Sequence, residues 1–404
     1  MTGRTKLGLA AIPRGIWTLG LVSMCMDLSS ELIHSLLPLY LALGMGASMF
    51  AIGLIEGAAE ATALIVKVFS GFLSDFFRRR KALVVLGYGL AALTKPVFPL
   101  APSLSGIVGA RIADRIGKGI RGAPRDALIA DITPAAVRGA SFGLRQALDT
   151  VGAVGGPLMA IGAMLYFSDN FQSVFWIAVI PAALAVLLLI VGVDEPQNVG
   201  AAPSADPSKR LRLADTRRLG RKYAIIVAIA AVFTLARFSE AFLVLRAQDA
   251  GLAVASAPWV MVVMSFVYAV VSYPAGAAAD RGKGPWLLSA GLATLIVSDL
   301  VLANARNGTI VLIGAALWGL HMGLTQGLLA ALVAAAAPAD LRGTAFGVFN
   351  LVCGVALLIA SGLAGWLWQA HGPALTFYAG AGITAIAWIG LLLYGRGAAQ
   401  LRQS

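Results

Sequence analysis

From one end to the other, the chain alternates long apolar runs with short polar breaks. Typical runs are "WIAVIPAALAVLLLIVGV" at 176–193 and "YAIIVAIAAVF" at 223–233. A helix needs about 20 apolar residues to cross a hydrocarbon core about 30 Å thick. Run lengths and breaks predict twelve such spans, near 16–43, 48–76, 82–101, 104–130, 139–166, 170–193, 223–247, 258–279, 286–304, 309–335, 343–368 and 374–395. The expected fold class is an all-α polytopic membrane protein. The first run follows Arg4, Lys6 and Arg14 as the core of a signal peptide would. It continues past Asp27 and Glu31 to Leu43 without a cleavage site, and reads as a retained first span.

The halves are related. "PAAVRGASFG" at 134–143 returns as "PADLRGTAFG" at 338–347, an offset of 204, and "GFLSD" at 71–75 returns as "GAAAD" at 276–280, an offset of 205. The Pro-, Ser- and charge-rich stretch 194–222 separates six spans from six. The pattern predicts two pseudo-symmetric six-helix bundles, residues 1–193 and 223–404, joined by a cytoplasmic linker at 194–222. Duplicated units of this kind are common in transporters, with the site between the halves near mid-membrane.

Composition agrees: 59% of residues are hydrophobic and only 12% charged. The net charge of +12 does not call for nucleic acid, because its cations crowd alternate connections. These are "RRRK" at 78–81, Arg138, the run from Lys209 to Lys222, Arg281 with Lys283, and Arg342; the opposite set has mainly Lys95, Arg246, Arg306 and His371. Such asymmetry places the basic loops, and both termini, in the cytoplasm. A bacterial inner membrane is the expected setting, with the bilayer, a small molecule and protons as partners of a monomer. Cys25 and Cys353 both lie inside apolar runs, which suits neither a disulfide framework nor a cysteine metal site. No nucleophile with an adjacent base stands out, and no G-x-x-x-x-G-K-[ST] loop is present. The expectation is a protein that is not an enzyme, with no cofactor and no metal.

One stretch breaks the apolar pattern. "RIADRIGKGIRGAPRD" at 111–126 contains the G-x-G-x-x-G spacing at Gly117, Gly119 and Gly122. A dinucleotide loop needs a strand before it and a helix start after it; here the apolar spacing continues a membrane helix, and Pro124 follows. Gly109, Ala113 and Gly117, four apart, suit close helix packing in lipid. Arg111, Arg115, Lys118 and Arg125 share one face, with Asp114 and Arg121 beside it.

The duplicated plan and the loop "GFLSDFFRRRKAL" together resemble the major facilitator superfamily, over essentially the whole chain. Gly71, Leu73, Asp75, Arg79 and Arg80 fit its loop motif, while Phe76 and Arg78 depart from it. A shortened second copy keeps Gly276, Asp280, Arg281 and Lys283. Gly152, Gly156 and Pro157 match a span-five motif that leans towards antiporters, although Ala160 and Ile161 replace its last glycines. Arg115-x-x-Lys118-Gly119 matches the span-four motif better than an alignment on Arg111.

The resemblance implies that spans one, four, seven and ten line a central cavity, and each carries ionisable residues, which are costly in a bilayer. Span one has Asp27, Glu31 and His34 within about 60° of one another. Span four has Arg111, Asp114 and Arg115; span seven has Arg237 and Glu240; span ten has His321 with Thr325 one turn on. Span two adds Glu56, Glu60 and Lys67 within about 40°. Their counterparts at the 205 offset are Met261, Ser265 and Ser272, so this charge belongs to the first half alone. Asp27, Glu31, His34, Glu56 and Glu60 are candidates for proton coupling. The cavity candidates are Arg111, Asp114, Arg115, Arg237, Glu240, His321 and Thr325, and Arg121, Arg125 and Arg138 join the motif residues as gating candidates. Structural alternatives stand beside these: Asp27 and Glu31 paired with span-four cations, Arg237 with Glu240 at i,i+3, Glu56 and Glu60 with Lys67, and Arg145 with Asp149 as an internal ion pair.

The reading is a secondary transporter that exports a small molecule in exchange for protons by alternating access. Its alternatives are a proton-coupled importer of an anionic solute and a membrane sensor on the same scaffold. The topology is testable with single cysteines in a background lacking Cys25 and Cys353. Thiol reagents should label positions 79, 209 and 281 from the cytoplasm and positions 46, 169 and 371 from outside; external labelling at 209 would end the twelve-span model.

Overall fold

The computed structural model describes residues 12–77, 79–134, 137–195, 218–338 and 341–400. Arg4, Lys6, Arg78, most of the expected linker with Lys209, and the side chains of Leu73, Asp75, Phe76 and Arg342 lie outside the described residues. Among the described residues every regular element is a helix: α1 Arg14–Leu39, α2 Met49–Phe77, α3 Arg80–Thr94, α4 Val97–Leu100, α5 Leu104–Ile132, α6 Arg138–Tyr166 and α7 Phe171–Gly192. There follow α8 Gly220–Ala236, α9 Ala241–Asp249, α10 Trp259–Ala278, α11 Gly284–Ala303, α12 Gly308–Ala336, α13 Arg342–His371 and α14 Pro373–Gln400.

Among the described residues, ten segments are long and apolar enough to cross a bilayer. One of them, Val254–Ala303, is 50 residues long and holds both α10 and α11, joined by a π turn in which Gly282 has φ 83°. α5 is absent from the ten because of its charges, from Arg111 to Asp131. Separating α10 from α11 and adding α5 gives the twelve passes expected, with boundaries within a few residues of those read from the runs. Two expected spans are each made of two helices. Pro96 ends α3, and α4 completes that pass. α8 stops at Ala236 and α9 begins at Ala241, so Arg237 and Glu240 do not sit at helical i,i+3 spacing.

Local chemistry explains where helices start. Ser103, Asn170 and Asn307 each accept a backbone N–H through their side chain at the start of α5, α7 and α12, satisfying a donor the helix leaves open. In α1, Pro38 has no N–H for the ladder, and the helix widens into a π turn at Tyr40–Gly44. Apolar side chains such as Ile180, Val191 and Ile386 remain exposed, as a lipid-facing surface requires.

The chain divides into two compact units, one of Met1–Ile33, Val66–Met159 and Asn170–Arg210, the other of His34–Ile65, Ala160–Asp169 and Leu211–Ser404. The division cuts α1, α2 and α6, so the units are a different partition from the sequence repeats. In the first, Ile16, Leu19 and Met26 of α1 pack with Val84 and Tyr88 of α3, Leu128 and Ile129 of α5, and Ala182, Ala185 and Leu189 of α7. In the second, Tyr223 and Val227 of α8 pack with Val333 of α12 and Ala345 of α13, and the Tyr223 hydroxyl donates to the Ala345 carbonyl at 2.7 Å.

Lipid gives little hydrophobic drive between helices, so close contact is the main attraction. α3 and α5 meet backbone to backbone: a Cβ on Gly117 would lie 2.6 Å from the Gly87 carbonyl oxygen, and one on Gly87 would lie 2.7 Å from that of Gly117. Gly109, expected to share this role, is exposed, and a Cβ on it would meet nothing within 4 Å. Glycine-to-alanine exchange gains about 1 kcal/mol of helix propensity where space permits. Gly109→Ala should therefore hold or raise the melting temperature of the detergent-purified protein, and Gly117→Ala should lower it by several degrees. Equal shifts at the two positions would remove Gly117 from the helix contact.

Candidate functional site

α5 carries its charges inward. Arg111, Asp114 and Arg115 are 1%, 3% and 1% exposed. Lys95, just beyond α3, is equally buried and donates from Nζ to Asp114 Oδ1 at 2.8 Å and to Ser30 Oγ of α1 at 2.9 Å. Arg115 Nη2 stands 3.2 Å from Asp114 Oδ2. One carboxylate thus holds two cations and ties α3 to α5, while Ser30 draws in α1. Lys95, counted from sequence with the sparsely charged connections, is instead a core residue. Pro96 is the signal for this, because it ends α3 and leaves Lys95 at its tip. Arg246, in the same sparse set, is also buried: it donates to the Leu302 and Ala305 carbonyls at the end of α11 and pairs with Asp249.

Further along α5 the cations bind neighbouring helices. Arg121 is buried with its guanidinium 4.6 Å from the centre of the Tyr88 ring, a cation–π contact. Arg125 Nη1 donates to Ser23 Oγ at 2.6 Å and to the Tyr88 hydroxyl at 3.4 Å. These two arginines, expected beside Arg138 and Asp75, clamp α5 to α1 and α3; Arg138 is exposed and donates to the Ala130 carbonyl. Arg80 of the loop motif reaches Asp131 at 2.5 Å and the Ala127 carbonyl at 2.9 Å, where a cation complements the helix C-terminus. Arg79 is exposed, and a Cβ on Gly71 would lie 3.5 Å from Ala123 Cβ. In the second copy, Gly276 has open space around it, and Asp280 and Arg281 are exposed in the π turn. Arg145 and Asp149 form the expected internal pair at 3.0 Å.

On α1, Asp27 and Glu31 are half-buried. The antiporter-type glycines lie directly against them: a Cβ on Gly152 would be 2.8 Å from Asp27 Cβ, and one on Gly156 would be 2.8 Å from Glu31 Cβ. Pro157 is buried beside them. Asp27 is in electrostatic reach of Asp149, Lys118, Arg121 and Glu31.

In the second unit, His34 turns to α2, its Nε2 3.5 Å from Glu56 Oε2. Glu56 is fully buried and Glu60 partly; Lys67 belongs to the first unit, where it is exposed with its stem over Gly122 of α5. Glu56 therefore meets an imidazole and not the lysine weighed from sequence. His321 and Thr325 are fully buried. His321 Nδ1 is 2.8 Å from the Gly291 carbonyl, its ring is 5.3 Å from that of Phe233, and Thr325 donates to the His321 carbonyl. Arg237 and Glu240 occupy the non-helical break between α8 and α9, where Ser239 N–H donates to Ser361 Oγ at 3.1 Å. Non-helical backbone at membrane depth is tolerated where protein or a cavity surrounds it. Asp299 of α11 was not singled out from sequence. It is fully buried, and among the described residues neither carboxylate oxygen has a hydrogen-bond partner. Its signal was present, since a lone acidic residue within the apolar run 286–304 is costly in a bilayer. An apolar groove lined by Ile226, Phe233, Leu288, Leu292 and Leu329 contains none of these ionisable groups.

A family model described as Major Facilitator Superfamily matches residues 19–360, with a second match over 226–403. The chain belongs to the major facilitator superfamily. This superfamily member is similar to an uncharacterized MFS-type transporter of Methanocaldococcus jannaschii, 32% identical over 388 residues, 95% of this chain and 94% of that protein. It is 26% identical over 393 residues to the inner membrane transport protein YajR of Escherichia coli, covering 93% and 82% of the two chains. Among solved structures, the nucleoside transporter NupG aligns with TM-score 0.78 at 11% identity, over 94% and 99% of the chains. A D-xylose–proton symporter aligns with TM-score 0.70 at 16% identity, over 93% and 96%. The protein is thus a membrane-embedded secondary transporter that works by alternating access.

Removing one member of a buried ion pair typically costs about 3–5 kcal/mol, because the partner charge is stranded, whereas an apolar pair of similar shape costs far less. Asp114→Asn should therefore lower the melting temperature sharply. Lys95→Met and Arg115→Met combined with Asp114→Leu should recover a large part of the loss. A triple variant no more stable than Asp114→Asn would show that the three charges are not a structural unit.

Proposed function

We propose that the protein exports a small molecule in exchange for protons, and that Glu31, aided by Asp27, carries the proton. The observation that supports this most is the seating of both half-buried carboxylates against Gly152 and Gly156 of α6. A carboxylate shielded from water can take up and release a proton near neutral pH, and a helix contact with no intervening side chains lets α1 and α6 shift together. The six-helix bundles 1–193 and 223–404 are the two halves whose alternation carries the substrate. Both termini face the cytoplasm across an inner membrane, and Gly71, Asp75, Arg79, Arg80, Arg138, Gly276, Asp280 and Arg281, at helix ends and in the turns beside them, lock and release that motion. Arg111, Arg115, Arg237 and Glu240 contact the substrate.

A second reading, uptake of an anionic solute with protons, draws on one observation. Lys95, Arg111 and Arg115 are three buried cations, two of them against Asp114, and a buried cationic cluster suits an anionic solute. The D-xylose–proton symporter, by its name, couples to protons in the same fold.

A thermal-shift screen of drugs, metal chelates and organic acids would first supply a ligand. Proteoliposomes with a pH step across the membrane would then compare wild type with Glu31→Gln. The variant should bind the ligand within about threefold of wild type and lose at least about tenfold of its pH-driven flux. A full response to the pH step in Glu31→Gln would exclude Glu31 as the coupling residue. Flux in the direction of the proton gradient would favour symport.

A further inference from the structure

We infer that His34, Glu56 and Glu60 form a binding site for a divalent transition-metal cation. The inference deepens the transport reading by separating these three residues from the proton-carrying pair Asp27 and Glu31. It is tested by metal binding without flux, so either claim can fail alone.

α1 supplies one imidazole, and α2 supplies two carboxylates one helical turn apart. One ligand atom from each residue can be chosen so that all lie within 4.8 Å of one another. Zinc-type ions bind imidazole nitrogen and carboxylate oxygen at about 2.0–2.2 Å, so ligands around a tetrahedral ion stand roughly 3.4 Å apart. The 3.5 Å between His34 Nε2 and Glu56 Oε2 already has that spacing. The third ligand needs a side-chain adjustment of about an ångström to complete the edge set. A rotamer change of Glu60, which is only partly buried, supplies it.

The electrostatics point the same way. Exposed acidic groups often cluster with no ion, because water screens them, but Glu56 is fully buried and His34 is 8% exposed. Two carboxylates in such a place repel each other unless positive charge stands between them. A doubly charged ion offsets both while His34 remains a neutral ligand. The second repeat has Met261 and Ser265 where Glu56 and Glu60 stand, so the six-helix unit folds without this charge. One nitrogen and two carboxylate groups, with no thiolate, suit manganese(II), iron(II), cobalt(II) or zinc(II), and disfavour copper(I). The imidazole argues against calcium and magnesium, which take oxygen ligands. Three protein ligands leave coordination positions for water or an exchanging ligand.

The experiment uses the full-length protein in detergent, stripped with chelator and titrated with manganese(II), with free ion read by electron paramagnetic resonance and zinc(II) as competitor. Wild type should bind one ion per chain, displaced by zinc(II), and pulsed spectra of the bound ion should show coupling to one imidazole nitrogen. Glu56→Gln and Glu60→Gln should each weaken binding by roughly tenfold or more, and His34→Gln should remove the nitrogen coupling. Asp169→Asn, in the exposed turn between α6 and α7, should bind as wild type does. Absence of saturable binding by wild type, or absence of nitrogen coupling in its bound ion, would overturn the site whatever the variants do. Binding unchanged in all three variants would do the same.

Discussion

A charge inside a lipid-shielded protein has to meet an opposite charge, and the Asp114 carboxylate between Lys95 and Arg115 is where this constraint shapes the first unit. Stranding any of the three would cost several kcal/mol. Their pairing therefore dictates that α3 ends beside the middle of α5. It also explains why α3 and α5 are built to touch at Gly87 and Gly117, since short side chains at the crossing bring Lys95 within reach of Asp114. The same logic runs down α5. Arg121 lies over Tyr88, Arg125 binds Ser23 and Tyr88, and Arg80 binds the last turn of α5. The most highly charged of the spans is thus the one that α1 and α3 are organised around.

α1 is used on more than one side. Asp27 and Glu31 lie against the glycines of α6, whereas His34, two turns beyond Asp27, turns to Glu56 of α2. Beyond Pro38 the helix loosens into a π turn. A helix with titratable groups, a close glycine contact and a widened end can change its packing in small steps without exposing backbone groups to lipid. Alternating access demands this of the helices that line its path.

In the second unit the break between α8 and α9 is held by hydrogen bonds from local and α13 side chains, so the unwound backbone is not left open to lipid. His321 lies in packed contact with Phe233 and the Gly291 carbonyl. Arg246 closes the end of α11. The repeats share a plan but bury polarity on different partners: the Lys95–Asp114–Arg115 cluster in the first, and Arg246 on the Leu302 and Ala305 carbonyls and Asp249 in the second.

The number of passes, their approximate limits and the family motifs were legible in the amino-acid sequence, because lipid imposes a length and an apolarity on every span that no tertiary contact can override. The Arg145–Asp149 pair was legible too, since i,i+4 spacing on one helix fixes proximity. Pairings between helices were not. Lys95 looked like a loop residue, and only the approach of α3 to α5 makes it the counter-ion of Asp114. Glu56 shared a helical face with Lys67, yet the rotation of α1 against α2 gives it His34. Gly109 and Gly117 had the same spacing argument behind them, and the place where α3 crosses α5 decided between them. Arg237 and Glu240 read as neighbours on one helix until the chain unwound between them. Periodicity states which residues share a face of one helix; which helix that face meets, and at what height, depends on packing and crossing geometry, which one-dimensional spacing does not contain.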